Sequence, residues 1–368
     1  MKKLRLLRSF FIASVKTVWY NQEDIENIGA MLMRKLLITL CSLVMAGACL
    51  FVLVLVAERE EPALPGETTV LTTGERLATE GTTQATTEAT QPVFVAIDPP
   101  DMSQTTARQM FVYDVRADRM LFTLGNQEEI IYPASLTKLF TAYVALQYLD
   151  PSQMVTVGEE AGWIEEDSSV AAVSEGCRLS AGMILQGMLM QSGNDAAYAI
   201  AVAAGREILE DETASASDSL GAFVSEMNRQ LGALGLENTH FTNPDGYHDE
   251  EHYSTAEELL EIAKLALGSP VIMEYCGIAS AAVRYDSGEE YTWKNSNYLL
   301  HEVSEFYCPQ ATGLKTGTTS MAGNCLIASF DTGSTVLVVG VLGCADRNDR
   351  FADTVALFDY YSRALSGE

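Results

Sequence analysis

Ala134-Ser135-Leu136-Thr137-Lys138 opens a stretch, SLTKLFTAYVALQYL from Ser135 to Leu149, whose apolar residues recur at helical spacing, with Pro133 just ahead of it. Three positions apart on a helix, Ser135 and Lys138 share one face. A serine in the first turn also sits where backbone N–H groups and the helix dipole favour developing negative charge. Alone, such a pair reads as a helix cap and a surface lysine. Two further motifs follow in order, Ser192-Gly193-Asn194 and Lys315-Thr316-Gly317. Each is weak by itself, since an S-x-x-K or an S-x-N arises by chance about once in a chain of this size. Together they describe a serine acyl-transfer site whose general base is a lysine.

A lysine can take the serine proton only when neutral. Its ordinary pKa near 10.4 must fall by about 3 units, on the order of 4 kcal/mol. Burial and a second cation can supply that, and Lys315 is the expected neighbour. Lys315 is no phosphate-binding loop lysine, because no G-x-x-x-x-G precedes it.

Outward from these motifs, Gln109–Val115 and Arg119–Leu124 flank Arg116-Ala-Asp118 as a β-hairpin. Helices are predicted at 180–191, 195–209, 220–234 and 255–267, the last capped by Ser254-Thr255 with acidic residues in its first turn. Strands return at 281–285, 312–318, 324–330 and 335–342, and a last helix runs from about 349 to 365. Strands at both ends and helices between them predict an α/β chain of the α+β type. One antiparallel sheet is built from both ends, covered by the terminal helix, with a helical lobe inserted. No second folded domain is expected after that helix.

Ala134-Ser-Leu-Thr-Lys138, Ser192-Gly-Asn-Asp-Ala196 and Gly313-Leu-Lys-Thr-Gly-Thr318 resemble the D-alanyl-D-alanine carboxypeptidases of the low-molecular-mass penicillin-binding proteins (serine peptidase family S11). Asn238-Thr-His-Phe-Thr-Asn-Pro-Asp-Gly246, His252-Tyr-Ser-Thr-Ala256 and Lys294-Asn-Ser-Asn297 extend the similarity, which covers roughly residues 95 to 365. The resemblance implies a β-lactamase/transpeptidase-like fold, and a carboxypeptidase acting on peptidoglycan stem peptides and acylated by β-lactams. It implies Ser135 as nucleophile and Lys138 as base. Ser192 would relay a proton to the leaving amine, and Asn194 would hold the substrate amide and orient Lys138. Lys315, Thr316, Gly317 and Thr318 would bind substrate, with Lys315 facing its C-terminal carboxylate. The N–H groups of Ser135 and Thr318 would form the oxyanion hole. No cofactor or metal is implied.

Two rival readings share the motifs. A class A β-lactamase uses Ser-Asp-Asn where this chain has Ser192-Gly193-Asn194, and needs a deacylating glutamate. Its candidate here, Glu226, lies in a helical pattern without the expected Asn four residues on. A β-lactam sensor would need a cytoplasmic effector, for which the residues before the apolar run leave no room. His248-Asp-Glu-Glu-His252 spells the H-x-x-E-H zinc pattern, but falls between a turn and a capped helix start, where one helical face cannot present both rings. Arg347 and Arg350, after the last strand, read first as solvated helix-start residues and, as the alternative, as added positive potential near the substrate carboxylate.

Leu36–Ala57 is an uncharged run of 22 residues, about 33 Å as a helix and long enough to span a bilayer. Arg34 and Lys35 precede it and Glu58, Glu60 and Glu61 follow, which predicts a single-pass cell-membrane anchor with the catalytic domain outside. Ala46-Gly-Ala48 resembles a signal cleavage site, but cleavage there would leave an apolar new terminus. The expected organisation is a leader at 1–35, the anchor at 36–57, a Thr-rich disordered linker at 58–92 and the catalytic domain at 93–368. Many members of the resembled family carry a C-terminal β-rich domain and amphipathic anchor, whose tethering role the N-terminal run would take here. With 23 Lys/Arg against 50 Asp/Glu and a formal charge of −27, the chain repels polyanions, which excludes nucleic-acid binding. Five cysteines beyond the anchor, with no paired spacing, read as single buried thiols.

Overall fold

Both ends of the described chain contribute to one antiparallel sheet, and most of the chain between them packs on one of its faces, while Leu299, Phe306 and Cys308 join the terminal helix on the other. The computed structural model describes residues 100–367, so the leader, anchor and linker read from the sequence lie outside the described residues. β1 (Gln109–Asp114) and β2 (Arg119–Leu124) form the hairpin, whose turn is closed by Asp114 Oδ1 accepting from the N–H groups of Arg116 and Ala117. β7 (Ala311–Thr319), β8 (Gly323–Asp331) and β9 (Val336–Cys344) complete the sheet in the order β2-β1-β9-β8-β7. β1 is therefore internal and buried along its whole length, and reads as a near-continuous apolar run. β7 is left at the edge.

The strand period of two divides the core. Met110, Val112, Leu326, Phe330 and Val339 pack against Phe351, Leu357, Phe358 and Tyr361 of the terminal helix α7 (Asp349–Ser366), with the Phe330 and Phe358 rings stacked 4.2 Å apart. Phe111, Ile327, Val338 and Leu342 face the helical lobe.

That lobe begins with a 3-10 turn, Ala134–Leu136, running into α1 (Thr137–Tyr148), so Ser135 sits in the tighter turn rather than in the α-helix expected from Ser135 on. A short hairpin of β3 (Met154–Thr156) and β4 (Arg178–Ser180) leads to α2 (Ala181–Met190) and α3 (Asn194–Leu209). α3 is rich in alanine and buried on most sides. Gly205 lets α4 (Ala216–Ala233) approach so closely that a Cβ there would stand 1.9 Å from Ser219 O. α5 (Ala256–Leu267) and α6 (Pro270–Gly277) follow. Ser180, Ser215, Thr255 and Ser269 each cap a helix by accepting a backbone N–H.

The predicted elements are present, with α4 starting four residues early at its Ser215 cap. The strand expected near Ala281 is β5 (Ser280–Arg284), which lies outside the main sheet and pairs with β6 (Glu290–Lys294) in a hairpin of its own.

Candidate active site

Lys138 is the centre of the site. It stands one turn after Ser135, is buried, and its Nζ meets three acceptors: Ser135 Oγ at 2.9 Å, Asn194 Oδ1 at 2.7 Å and the Asp245 carbonyl at 2.6 Å. An ammonium has three donors, so its protonated form is fully engaged here. Loss of one proton leaves a lone pair that can face Ser135. Burial brings the Lys138 pKa down to about 8, against the opposing pull of the Asp245 and Asp195 carboxyls. The second cation expected to do this, Lys315, bears the repulsion itself: burial first, then Lys138 and Arg350, hold Lys315 well below the ordinary lysine value.

Asn194 opens α3. Lysine can only donate, so Asn194 must present its oxygen to Lys138, while its Nδ2 donates to Ser168 Oγ at 2.9 Å. Ser192, two residues earlier, is held at φ 60° in the turn between α2 and α3. Behind them the buried Asp195 carboxylate accepts from the N–H groups of Ala171 (2.9 Å), Val173 (2.8 Å) and Ala196 (2.8 Å). This fixes the acidic loop 163–173 beside the Ser192-Gly-Asn turn.

Edge strand β7 supplies the opposite wall. An irregularity between Ala311 and Gly313 puts Gly313 at φ 134° and Leu314 at φ 66°, immediately before Lys315. Three non-glycine residues at left-handed φ thus sit at the three motifs: Ala134 (49°), Ser192 and Leu314. A Cβ on Gly317 would lie 3.0 Å from Pro133 O and 3.2 Å from Ser135 N, so the absence of a side chain lets the strand backbone run this close to the Ser135 turn without displacing it. Lys315 is buried and donates to Thr316 O at 3.1 Å and Ser296 Oγ at 3.4 Å, and the Ser296 and Thr316 hydroxyls bond at 2.6 Å.

Arg350 corrects the sequence reading. It is 2% exposed, not solvated, and its Nη1 donates to Gly317 O (3.0 Å), Thr318 Oγ1 (2.8 Å) and Cys325 O (3.3 Å). Arg347 is exposed and lies over the Tyr298 ring. A signal was available, since an arginine in the first turn of a helix opposes the dipole and needs another reason to be there. The Asp245 carbonyl, Ser168 and Ser296 were also missed as contacts of the site, although Asp245 and Ser296 lie in stretches that carried the resemblance.

The H-x-x-E-H residues lie in a non-helical segment, with the His248 ring edge-on to Tyr132 and both nitrogens of His252 engaged by Thr137 and Thr242. No group of three metal-ligating side chains occurs among the described residues. The five described cysteines are all free thiols, four of them buried and Cys177 half-buried.

The family profile of the D-alanyl-D-alanine carboxypeptidases matches residues 94–346. The chain belongs to the D-alanyl-D-alanine carboxypeptidase family. Within the family it is 30% identical over 239 residues to D-alanyl-D-alanine carboxypeptidase DacF of Bacillus subtilis, covering 64% of this chain and 57% of the relative. It is 32% identical over 282 residues to DacC of Escherichia coli, covering 73% and 64%. The chain thus spans less than two thirds of these relatives' length. Among solved structures it resembles the Streptomyces K15 DD-transpeptidase, at 26% identity and a TM-score of 0.64 over 71% of this chain and 98% of that one. It also resembles the ampicillin-bound penicillin-binding protein D2 of Listeria monocytogenes, at 25% identity and a TM-score of 0.57 over 71% and 99%.

The glutamate considered for a β-lactamase is engaged away from Ser135. The Glu226 carboxylate is clamped by Arg229 (2.6 and 2.7 Å), Gln230 and Tyr148, and the Arg229 guanidinium leads in holding its pKa down at about 2. Tyr148 ends α1, a helix length of about 20 Å from Ser135.

Proposed function

We propose that the protein is a serine D-Ala-D-Ala carboxypeptidase that removes the terminal D-alanine from peptidoglycan stem pentapeptides through an acyl-enzyme on Ser135. The observation that carries this reading is the buried Lys138 Nζ, 2.9 Å from Ser135 Oγ and shared with Asn194 and the Asp245 carbonyl. Neutral Lys138 takes the proton as Ser135 Oγ attacks the penultimate D-alanine carbonyl. The N–H groups of Ser135 and Thr318 receive the oxyanion. The C–N bond then breaks, and the departing D-alanine amine is protonated from Lys138 through Ser192. Water, activated by the same lysine, hydrolyses the ester. Asn194 orients Lys138 and the substrate amide.

Lys315, Thr316 and Thr318 receive the substrate's C-terminal carboxylate, and Gly317 keeps the strand backbone close enough to form that pocket. Arg350 adds positive charge behind Thr318. A carboxylate arriving beside Lys315 offsets the burial that disfavours its charge. β-Lactams carry the same carboxylate and an acylating amide, so they are expected as covalent inhibitors, as the ampicillin-bound neighbour supports. No step calls on a cofactor or metal. The single-pass anchor and extracytoplasmic location rest on the sequence of residues 36–57 and its flanking charges. No described helix is long and apolar enough to cross a membrane.

D-Alanine release from a peptide ending in D-Ala-D-Ala, beside the same peptide amidated at its C-terminus, tests the assignment. The free acid should be processed, the amide poorly, and Lys315→Ala should erase that preference mainly through KM. Equal processing of acid and amide by the wild type would remove Lys315 from carboxylate recognition.

A further inference from the structure

The second histidine of His248-Asp-Glu-Glu-His252 plays no part in the proposed chemistry, yet it is 2% exposed and fully engaged. Its ring stacks on Phe241 with centroids 4.8 Å apart. The Thr242 backbone N–H points at Nδ1 from 3.1 Å. An N–H only donates, so Nδ1 is the bare nitrogen and Nε2 carries the proton. Nε2 lies 2.8 Å from Thr137 Oγ1 and so donates to it, and the Thr137 hydroxyl donates in turn to the Ala134 carbonyl at 2.9 Å. The whole chain of bonds has one direction.

It ends on the residue before Ser135, an alanine held at φ 49°, which persists only where its surroundings impose it. The same segment grips the site twice more. A Cβ on Gly246 would stand 1.9 Å from Ala134 O, and the Asp245 carbonyl holds Lys138. His240 and Tyr253 exchange backbone hydrogen bonds at 3.0 and 2.9 Å, and Ile131 and Ser254 do so at 2.8 and 2.9 Å. The ribbon is therefore closed on itself and fastened to the residues leading into Ser135.

We propose that His252 is a positioning residue for the nucleophile: acting through Thr137, it holds the Ala134 turn that presents Ser135 to Lys138. A second proton on its ring would set an N–H against the N–H of Thr242. Burial first, then the positive side of His240, Lys138 and His248, keeps the ring's pKa down at about 3, so the brace stays in one protonation state at working pH. The inference rests on Ser135 being the acylated residue.

The test measures benzylpenicillin acylation of the full chain against concentration in wild type, His252→Leu, Thr137→Val, the double variant and His252→Gln. Glutamine offers an oxygen to Thr242 N–H and an N–H to Thr137, as the imidazole does. Each single apolar variant should lose about 100-fold in limiting acylation rate with little change in half-saturation. The double variant should be no slower than the slower single one, and His252→Gln should restore most of the rate. Nitrogen-15 NMR should show His252 neutral and protonated on Nε2 from about pH 5 to 8. Wild-type rates in Thr137→Val, additive losses, no recovery in a folded His252→Gln, or a ring titrating near 6.5 would each overturn the proposal. If His252→Leu fails to fold, Thr137→Val, which removes one hydroxyl, decides it. If wild type takes no adduct on Ser135, the proposed function fails, while the NMR still reads the brace.

Discussion

As the proposed base, Lys138 carries opposed demands: it must be neutral to take a proton, yet it is surrounded by acceptors that suit an ammonium. Burial resolves this by bringing its pKa to about 8. Acylation should therefore rise about tenfold per pH unit up to about pH 8 and then level off, and a rate flat between pH 6 and 8 would count against Lys138 as base. The same shift is a stability statement. Between about 8 and 10.5 the unfolded chain binds more protons at this residue than the folded one does, so stability rises with pH across that window. Relative to Lys138→Met, the wild type should gain about 3 kcal/mol from pH 7 to pH 10.5, as urea unfolding of both would report. The proposed Ser135–Lys138 pair was legible in the sequence because both residues lie in one short motif, three positions apart. The burial and partners of Arg350 were not, because Gly317, Thr318 and Cys325 lie 33, 32 and 25 residues away and only the sheet order brings them together. The Asp245 contact was hidden for another reason: it is made by a carbonyl, which every residue has.

Among the elements, those with strong periodicity or clear caps were readable: the 109–124 hairpin, α3, α5 and the three long strands. β6 was not, since Glu-Tyr-Thr-Trp-Lys carries a charge at each end and only Trp293 is buried, its indole N–H donating to Ala171 O at 3.0 Å. α6 was masked by Pro270, which reads as a stop after α5 but occupies the first turn of a new helix. The β5–β6 hairpin nevertheless braces the loop beside the Ser192-Gly-Asn turn. Trp293 and Tyr285 of the β5–β6 hairpin both donate to Ala171 O, and Asp195 at the start of α3 holds the N–H groups of Ala171 and Val173. Asp195→Ala strands those donors and should destabilise the protein by about 3 kcal/mol. Faster hydrogen exchange at Ala171 and Val173 should accompany it. Unchanged exchange there would mean the loop is held by other contacts.

Across the whole molecule, the sheet's two faces are covered by α7 and the helical lobe, which leaves β2 and β7 as its edges; β7, which runs beside Ser135, is the edge along which the proposed function would lay an extended peptide. The strong negative charge suits a soluble domain more than a polyanion partner. If residues 36–57 anchor the chain and 58–92 tether it, protease added outside intact cells should release an active fragment of about 270 residues. Recovery of the mature protein from the medium with its N-terminus near residue 49 would instead mean cleavage of the apolar run. The central claim is that Ser135, activated by Lys138, forms the acyl-enzyme, and mass spectrometry of the full chain incubated with benzylpenicillin tests it most directly. One penicilloyl group on the peptide containing Ser135, absent from Lys138→Met and lost over minutes or longer, is the expected result; an adduct on another residue, or rapid turnover of penicillin with no adduct, would contradict it.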